Sequence, residues 1–144
     1  MGVSTRTPAQ FRDDFRTAFG SHWTAAGESL SIVAWDNLDF DPANLDDYVF
    51  ASLAHSTGEL ASLGAGNSVQ VRRVAIFAAQ AFVRHNTGQA RADTLAEILL
   101  DFVESTHLTG IRFREQGMIE AGRVQQWFQV NVNALVEYDS FRTV

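Results

Sequence analysis

Four histidines, a run of aspartates and two serines are the residues here whose types could do chemistry. His22, His55, His85 and His107 fall in different expected elements, and no two of them have a metal-ligand spacing. Each reads as a surface or capping histidine. Asp36, Asp39, Asp41, Asp46 and Asp47 crowd the segment "DNLDFDPANLDD" and could gather around a calcium ion. Pro42 interrupts that run, however, and no glycine takes the sixth position of an EF-hand loop. The segment is expected to be a turn-rich loop held by Asx side-chain hydrogen bonds. Ser56 and Ser62 have no strand-turn-helix elbow around them. "LGAGN" lacks the preceding strand and following helix that a dinucleotide fingerprint requires. No catalytic, cofactor-binding or metal-ligating residue is assigned, and no enzymatic activity is expected.

A second constellation points to contact instead of catalysis. In "VQQWFQVNVNALVEY", Val124 to Tyr138, the even positions are nearly all apolar, while the odd positions include Gln125, Trp127, Gln129, Asn131 and Asn133. Period-two alternation means a strand with one face on a core. The other face carries uncharged amides where a solvated strand usually carries charge. Such groups cost less to bury than charges when partners are present, and tryptophan is a common interface anchor. The amide face therefore reads as one that another chain covers, with Trp127 as an exposed anchor. Arg112 and Arg114 alternate with Ile111 and Phe113 on the preceding strand. Arg72 and Arg73 put one guanidinium on each face of a third strand, where a carboxylate partner or a subunit contact would satisfy them.

Composition narrows the classes. A chain of 144 residues, 46% hydrophobic, can bury a substantial core in one domain. The net charge of −6, with all 11 basic residues arginine and scattered, argues against general or sequence-specific nucleic-acid binding. No stretch approaches the ~18 apolar residues of a membrane span, and the first ten residues lack the apolar run of a signal peptide. Residues 1–6 are expected to be a flexible start. The absence of cysteine suits a reducing cytoplasm.

The elements that must position these residues follow the order α-β-β-β-α-β-β: an α+β fold of one domain, 1–144, with two helices and a mixed sheet of about five strands. Thr7, Pro8 and Gln10 give a helix start with capping-box spacing. Phe11, Phe15, Phe19 and Trp23 make one aromatic stripe, and Gly27 ends the helix. Strands are expected over "LSIVAW", "YVFASLA" and "VQVRRVAIFAAQAFV", the last apolar on both faces and so central. Between the second and third, residues 55–68 read as a mobile Gly-rich docking loop that includes Gly58, Glu59, Leu63, Gly64 and Gly66. "NTG" at Asn86 to Gly88 breaks the third strand, and a helix covers Gln89 to Ser105. A long C-terminal hairpin closes the chain, with its turn at Ala121-Gly122, Ile111 opposite Val132, Phe113 opposite Val130 and Arg114 opposite Gln129. Its distal part, near Met118 and Glu120, is expected to project.

Taken in order, the N-terminal amphipathic helix, "IVAWDNLDFDP", "ASLG", "RRVAIFAAQAFV", "NTGQARADTLAEILLDF", "IRF" and "WFQVNVNALVEYD" resemble the tail-terminator proteins of long-tailed bacteriophages, a phage-related group of domains. The similarity runs over nearly the whole chain and rests on co-occurrence of the pieces. Two departures stand out. "LDDYVFAS" has Tyr48 and no arginine where the family often places a Pro-Trp pair with a nearby arginine, and "RHNTG" replaces a common proline. The resemblance implies a structural protein of the virion tail, assembled in the host cytoplasm. It implies a homo-oligomeric ring, typically of six copies, that caps the tail tube protein, halts polymerisation and presents a surface to the head-tail connector. Another neck or head-completion protein, or a small-molecule-binding α+β domain, is the alternative.

Overall fold

The computed structural model describes residues 6–36, 38–63, 68–84, 89–105 and 108–143; for 57–63, 68, 69, 124 and 141–143 it describes the backbone alone. The first helix, α1 (Pro8–Ala25), starts as its sequence dictates. Thr7 Oγ1 accepts from the Gln10 amide at 3.2 Å and Gln10 Oε1 accepts from the Thr7 amide at 2.9 Å, a reciprocal box that satisfies donors the helix leaves open. Gly27, at φ 90°, takes the left-handed turn just past the helix end. A 3-10 turn over Leu30–Ile32 takes the place of the first half of the expected first strand, leaving a short β1 (Val33–Trp35).

β2 (Asp47–Leu63), β3 (Ser68–Arg84), α2 (Ala90–Ser105), β4 (Ile111–Val124) and β5 (Trp127–Thr143) follow. The five strands form one sheet in the order β1-β2-β3-β5-β4. β1 runs parallel to β2, and the other neighbours are antiparallel. β3 and β4 flank β5 in the same direction, so α2 is the crossover between them. Both helices lie against one face. Phe15 sits at the centre of that layer, with ring centroids 5.0 Å from Phe77 of β3, 5.4 Å from Phe102 of α2 and 5.9 Å from Phe113 of β4. The stripe Phe11, Phe15, Phe19, Trp23 is wholly core. At the sheet centre Ala75, Ala79 and Ala81 keep β3 low enough for this aromatic layer to settle on it.

Two expectations are corrected here. The mobile docking loop over 55–68 is mostly ladder: Gly58 pairs with Arg73, Glu59 with Arg72 and Leu63 with Val69. A bulge between His55 and Gly58 hid the strand, because it breaks the period-two signal at the point where glycine appears. Gly64 and Gly66 lie outside the described residues, as do Asn86 to Gly88, His85 and His107. The C-terminal hairpin turns at Gln125-Gln126 and not at Ala121-Gly122. Ile111 is opposite Tyr138, Phe113 opposite Val136, Arg112 opposite Glu137 and Arg114 opposite Leu135. The faces expected for the first half survive because the register slipped by an even number. Bulges after Arg114 and after Glu120 then change the parity of β4 twice, which places Ile119 and Gly122 beside the arginines' face.

Candidate interaction surface

The helices leave the other face of the sheet uncovered among the described residues. Even positions of β3 from Arg72 to Arg84 and odd positions of β5 from Trp127 to Asp139 line it, flanked by Tyr48, Phe50 and Ser52 of β2 and by Arg112, Arg114 and Ile119 of β4. Three zones follow one another along the strands.

At one end is an aromatic cluster. The Tyr48 ring stacks on Phe82 at 4.7 Å, Trp127 meets Tyr48 edge-on at 5.0 Å, and the Arg84 guanidinium lies 4.3 Å over the indole. Phe40, from the acidic segment, reaches the same tyrosine at 5.6 Å. Trp127 is only 7% exposed. The reading of Trp127 as an exposed anchor is therefore corrected: its face is right, but Tyr48, Phe82 and Arg84 cover it within the chain. The sequence signal for this was the aromatic at position 82 and the tyrosine at 48, residues 34 apart that only the register brings together.

The middle zone is apolar among amides. Ile76 is 44% exposed, Phe50 36% and Ile119 60%. Gln80 pairs in register with Asn131, and Asn133 lies two residues along. Gln129 Nε2 donates to Asn131 Oδ1 at 2.8 Å, so these amides are part of one ordered row. Ile76 and Phe50 were legible as the apolar second face of their strands; Ile119 was not, because the bulge reverses its side.

The far end is charged. Glu137, 6% exposed, holds Arg114 at 3.0 Å and Arg112 at 3.3 Å. Asp139 faces Arg72 at 3.7 Å, close enough for an ion pair and too long for a hydrogen bond. Sequence reasoning put Arg72, Arg112, Arg114, Trp127, Gln129, Asn131 and Asn133 on one surface, and they share it. It missed Glu137 and Asp139, the carboxylates that hold three of those arginines. Gln125 sits at the exposed hairpin turn, and Arg73 points to the helix side, where its Nε donates to Ser140 Oγ at 2.8 Å.

Several of the chemistry-bearing residues elsewhere are engaged in structure. Asp41 Oδ1 accepts from the Ala43 amide at 3.0 Å, an Asx turn. Asp36 faces Arg16 at 3.7 Å, and Asp47 takes Arg91 Nε at 2.7 Å. Arg91 also grips Glu28 through both terminal nitrogens, at 2.8 and 2.6 Å. His22 Nε2 lies 3.1 Å from the Ile98 carbonyl oxygen, in a shallow groove of about 440 Å³ between the helices. Among the described residues no three His, Asp or Glu side chains converge as a metal site would require. No described helix is long and apolar enough to cross a membrane.

No family model matches the chain, and no curated protein does. Solved structures do match. One is similar with a TM-score of 0.60 at 20% identity, covering 88% of this chain and 94% of that chain. That likeness is one of fold alone.

Proposed function

We propose that the chain is a structural subunit that assembles with copies of itself into a closed ring, in the manner of a phage tail terminator. One observation carries this reading. The central strand β3 is apolar on both faces, with Val74, Ile76 and Phe82 opposite the buried Ala75, Phe77 and Val83, yet helices cover only one of them. A strand apolar on both sides belongs between two layers. A second copy would supply the missing one, burying Phe50, Ile76 and Ile119 while the amide row offers uncharged partners. A head-to-tail contact of this kind closes into a ring or runs on as a filament, and a closed ring on the last tube layer would end polymerisation. The resemblance of the ordered segments to tail terminators adds the tail tube and the head-tail connector as partners and six as the ring number. The function read here is structural and not enzymatic.

Native mass spectrometry across a concentration series tests it, with Ile76→Asp and Ile119→Asp as probes. A closed oligomer, lost in both variants while circular dichroism stays unchanged, is expected. A monomer at every concentration that also fails to cap purified tail tubes would sink the proposal.

A further inference from the structure

On the helix side of the sheet, where α1 begins, hydrogen-bond donors outnumber acceptors. Tyr138, 1% exposed, stacks flat on Phe11 with centroids 4.0 Å apart. Its Oη lies 2.7 Å from His55 Nε2, and the Arg12 Nη2 lies 3.4 Å from His55 Nδ1. A guanidinium only donates, so Nδ1 is the accepting nitrogen and the ring proton sits on Nε2, directed at the tyrosine oxygen. The tyrosine hydrogen is then left to donate outward. Beside it, Arg73 Nε donates to Ser140 Oγ at 2.8 Å, with Ser140 4% exposed, and the serine hydrogen is likewise uncommitted.

Arg12 and Arg73 thus each touch one neutral group, and among the described residues neither meets a carboxylate. Six other arginines, Arg6, Arg16, Arg72, Arg91, Arg112 and Arg114, pair with an aspartate or glutamate, and Arg123 donates to the Gln125 carbonyl. In a chain of net charge −6, two guanidinium groups and two hydroxyls lie together with no anionic acceptor among the described residues. Burial first, then the charges of Arg12 and Arg73, hold His55 below its ordinary 6.5, and burial pushes Tyr138 above its ordinary 10. The two guanidiniums act on both rings, lowering His55 and opposing the burial that raises Tyr138, so each feels positive charge nearby. A ligand made of acceptors and carrying negative charge is what such an array lacks.

We propose that Arg12, His55, Arg73, Tyr138 and Ser140 form a binding site for one oxyanion group, a phosphate or a carboxylate. Its oxygens would bridge the two guanidinium forks and accept from the two hydroxyls. The site is on the face opposite the assembly surface, and the inference stands independently of the ring. The charges facing His55 are Arg12 from α1 and Arg73 from β3, with the neutral Tyr138 from β5. An anion placed among them would favour the imidazolium, so by reciprocity protonation of His55 would favour the anion.

The test is an NMR titration of the His55 ring and neighbouring amides with inorganic phosphate and, separately, with acetate, against sodium chloride at matched ionic strength. A saturable response at His55 to at least one of the two is expected, with the His55 titration moved to higher pH at saturation. The group that saturates names the chemistry. Arg12→Gln and Arg73→Gln should each weaken binding roughly tenfold, the loss of a charge-assisted hydrogen bond. Both lie on the partly exposed rim of the cluster, and an unchanged amide spectrum away from it would show that they fold. A non-saturating drift shared with chloride, or equal affinity in both folded variants, would overturn the site.

Discussion

Arg91 shows how one side chain can tie three elements together. From the first turn of α2 it reaches Asp47 at the start of β2 and Glu28 just beyond α1. The hydrogen bonds from Arg91, opposed by burial, hold the Glu28 carboxyl below its ordinary 4.5, and the two carboxylates raise the arginine above its ordinary value. Arg91→Met should cost about 2 kcal/mol in chemical denaturation, the lower part of the range for charged hydrogen bonds because the guanidinium is partly solvated. The Glu28 contribution has a pH sign. Its folded value lies below the unfolded one, so stabilisation is complete above about pH 4.5 and is lost as pH falls through the folded value. The stability gap between the protein and Glu28→Gln should therefore close on acidification below pH 4.5. A gap unchanged to pH 3 would mean the pair contributes nothing. Trp127 belongs to the same scale. With its indole packed on Tyr48, Phe82 and Arg84, Trp127→Ala should cost about 3 kcal/mol of stability. If only assembly suffers and the unfolding midpoint holds, the cluster is not the support described.

The strands are where glycine and bulges mislead a period-two reading. Gly58 sits in the β2 ladder opposite Arg73, so deleting Gly58 to Gly66 removes the paired backbone of Gly58 to Leu63. Such a deletion should lower the thermal midpoint measurably. An unchanged midpoint would show the β2-β3 extension to be dispensable for folding. At the β4-β5 turn, Gln125 holds φ 54°, the left-handed region that disfavours a side chain. Gln125→Gly should stabilise the protein by about 1 kcal/mol, read from urea midpoints at constant slope. Turn location could not be read from composition because Ala121-Gly122 carries the glycine while the turn falls at two glutamines. Gly122, at φ 80°, serves the second bulge instead. That bulge keeps β4 in register with a partner it would otherwise outrun. The helix-facing Met118, 48% exposed, marks where α2 no longer covers β4.

At the scale of the molecule, copies of net charge −6 must approach one another if a ring forms. The exposed residues of the middle zone are apolar or amide, and Arg112 and Arg114 are already held by Glu137 within the chain. Added salt should therefore screen repulsion and strengthen association, measured by sedimentation velocity from 0.05 to about 0.5 M sodium chloride, over which the Debye length falls from more than 10 Å to less than 8 Å. Weakening by salt would mean that ion pairs between copies hold the assembly. The α+β class, both helices, the aromatic stripe and the faces of β3 and β5 were determined by the sequence alone, because helix caps and the 3.6 and 2.0 periodicities are local properties written in consecutive residues. The tertiary structure decided the rest. The register of β4, the cover over Trp127, the carboxylates behind Arg72, Arg112 and Arg114, and the donor cluster around His55 all join residues far apart in the chain. Their geometry depends on where bulges fall and how far two strands slide, and a slip of a few residues leaves the local pattern almost unchanged while replacing every cross-strand neighbour.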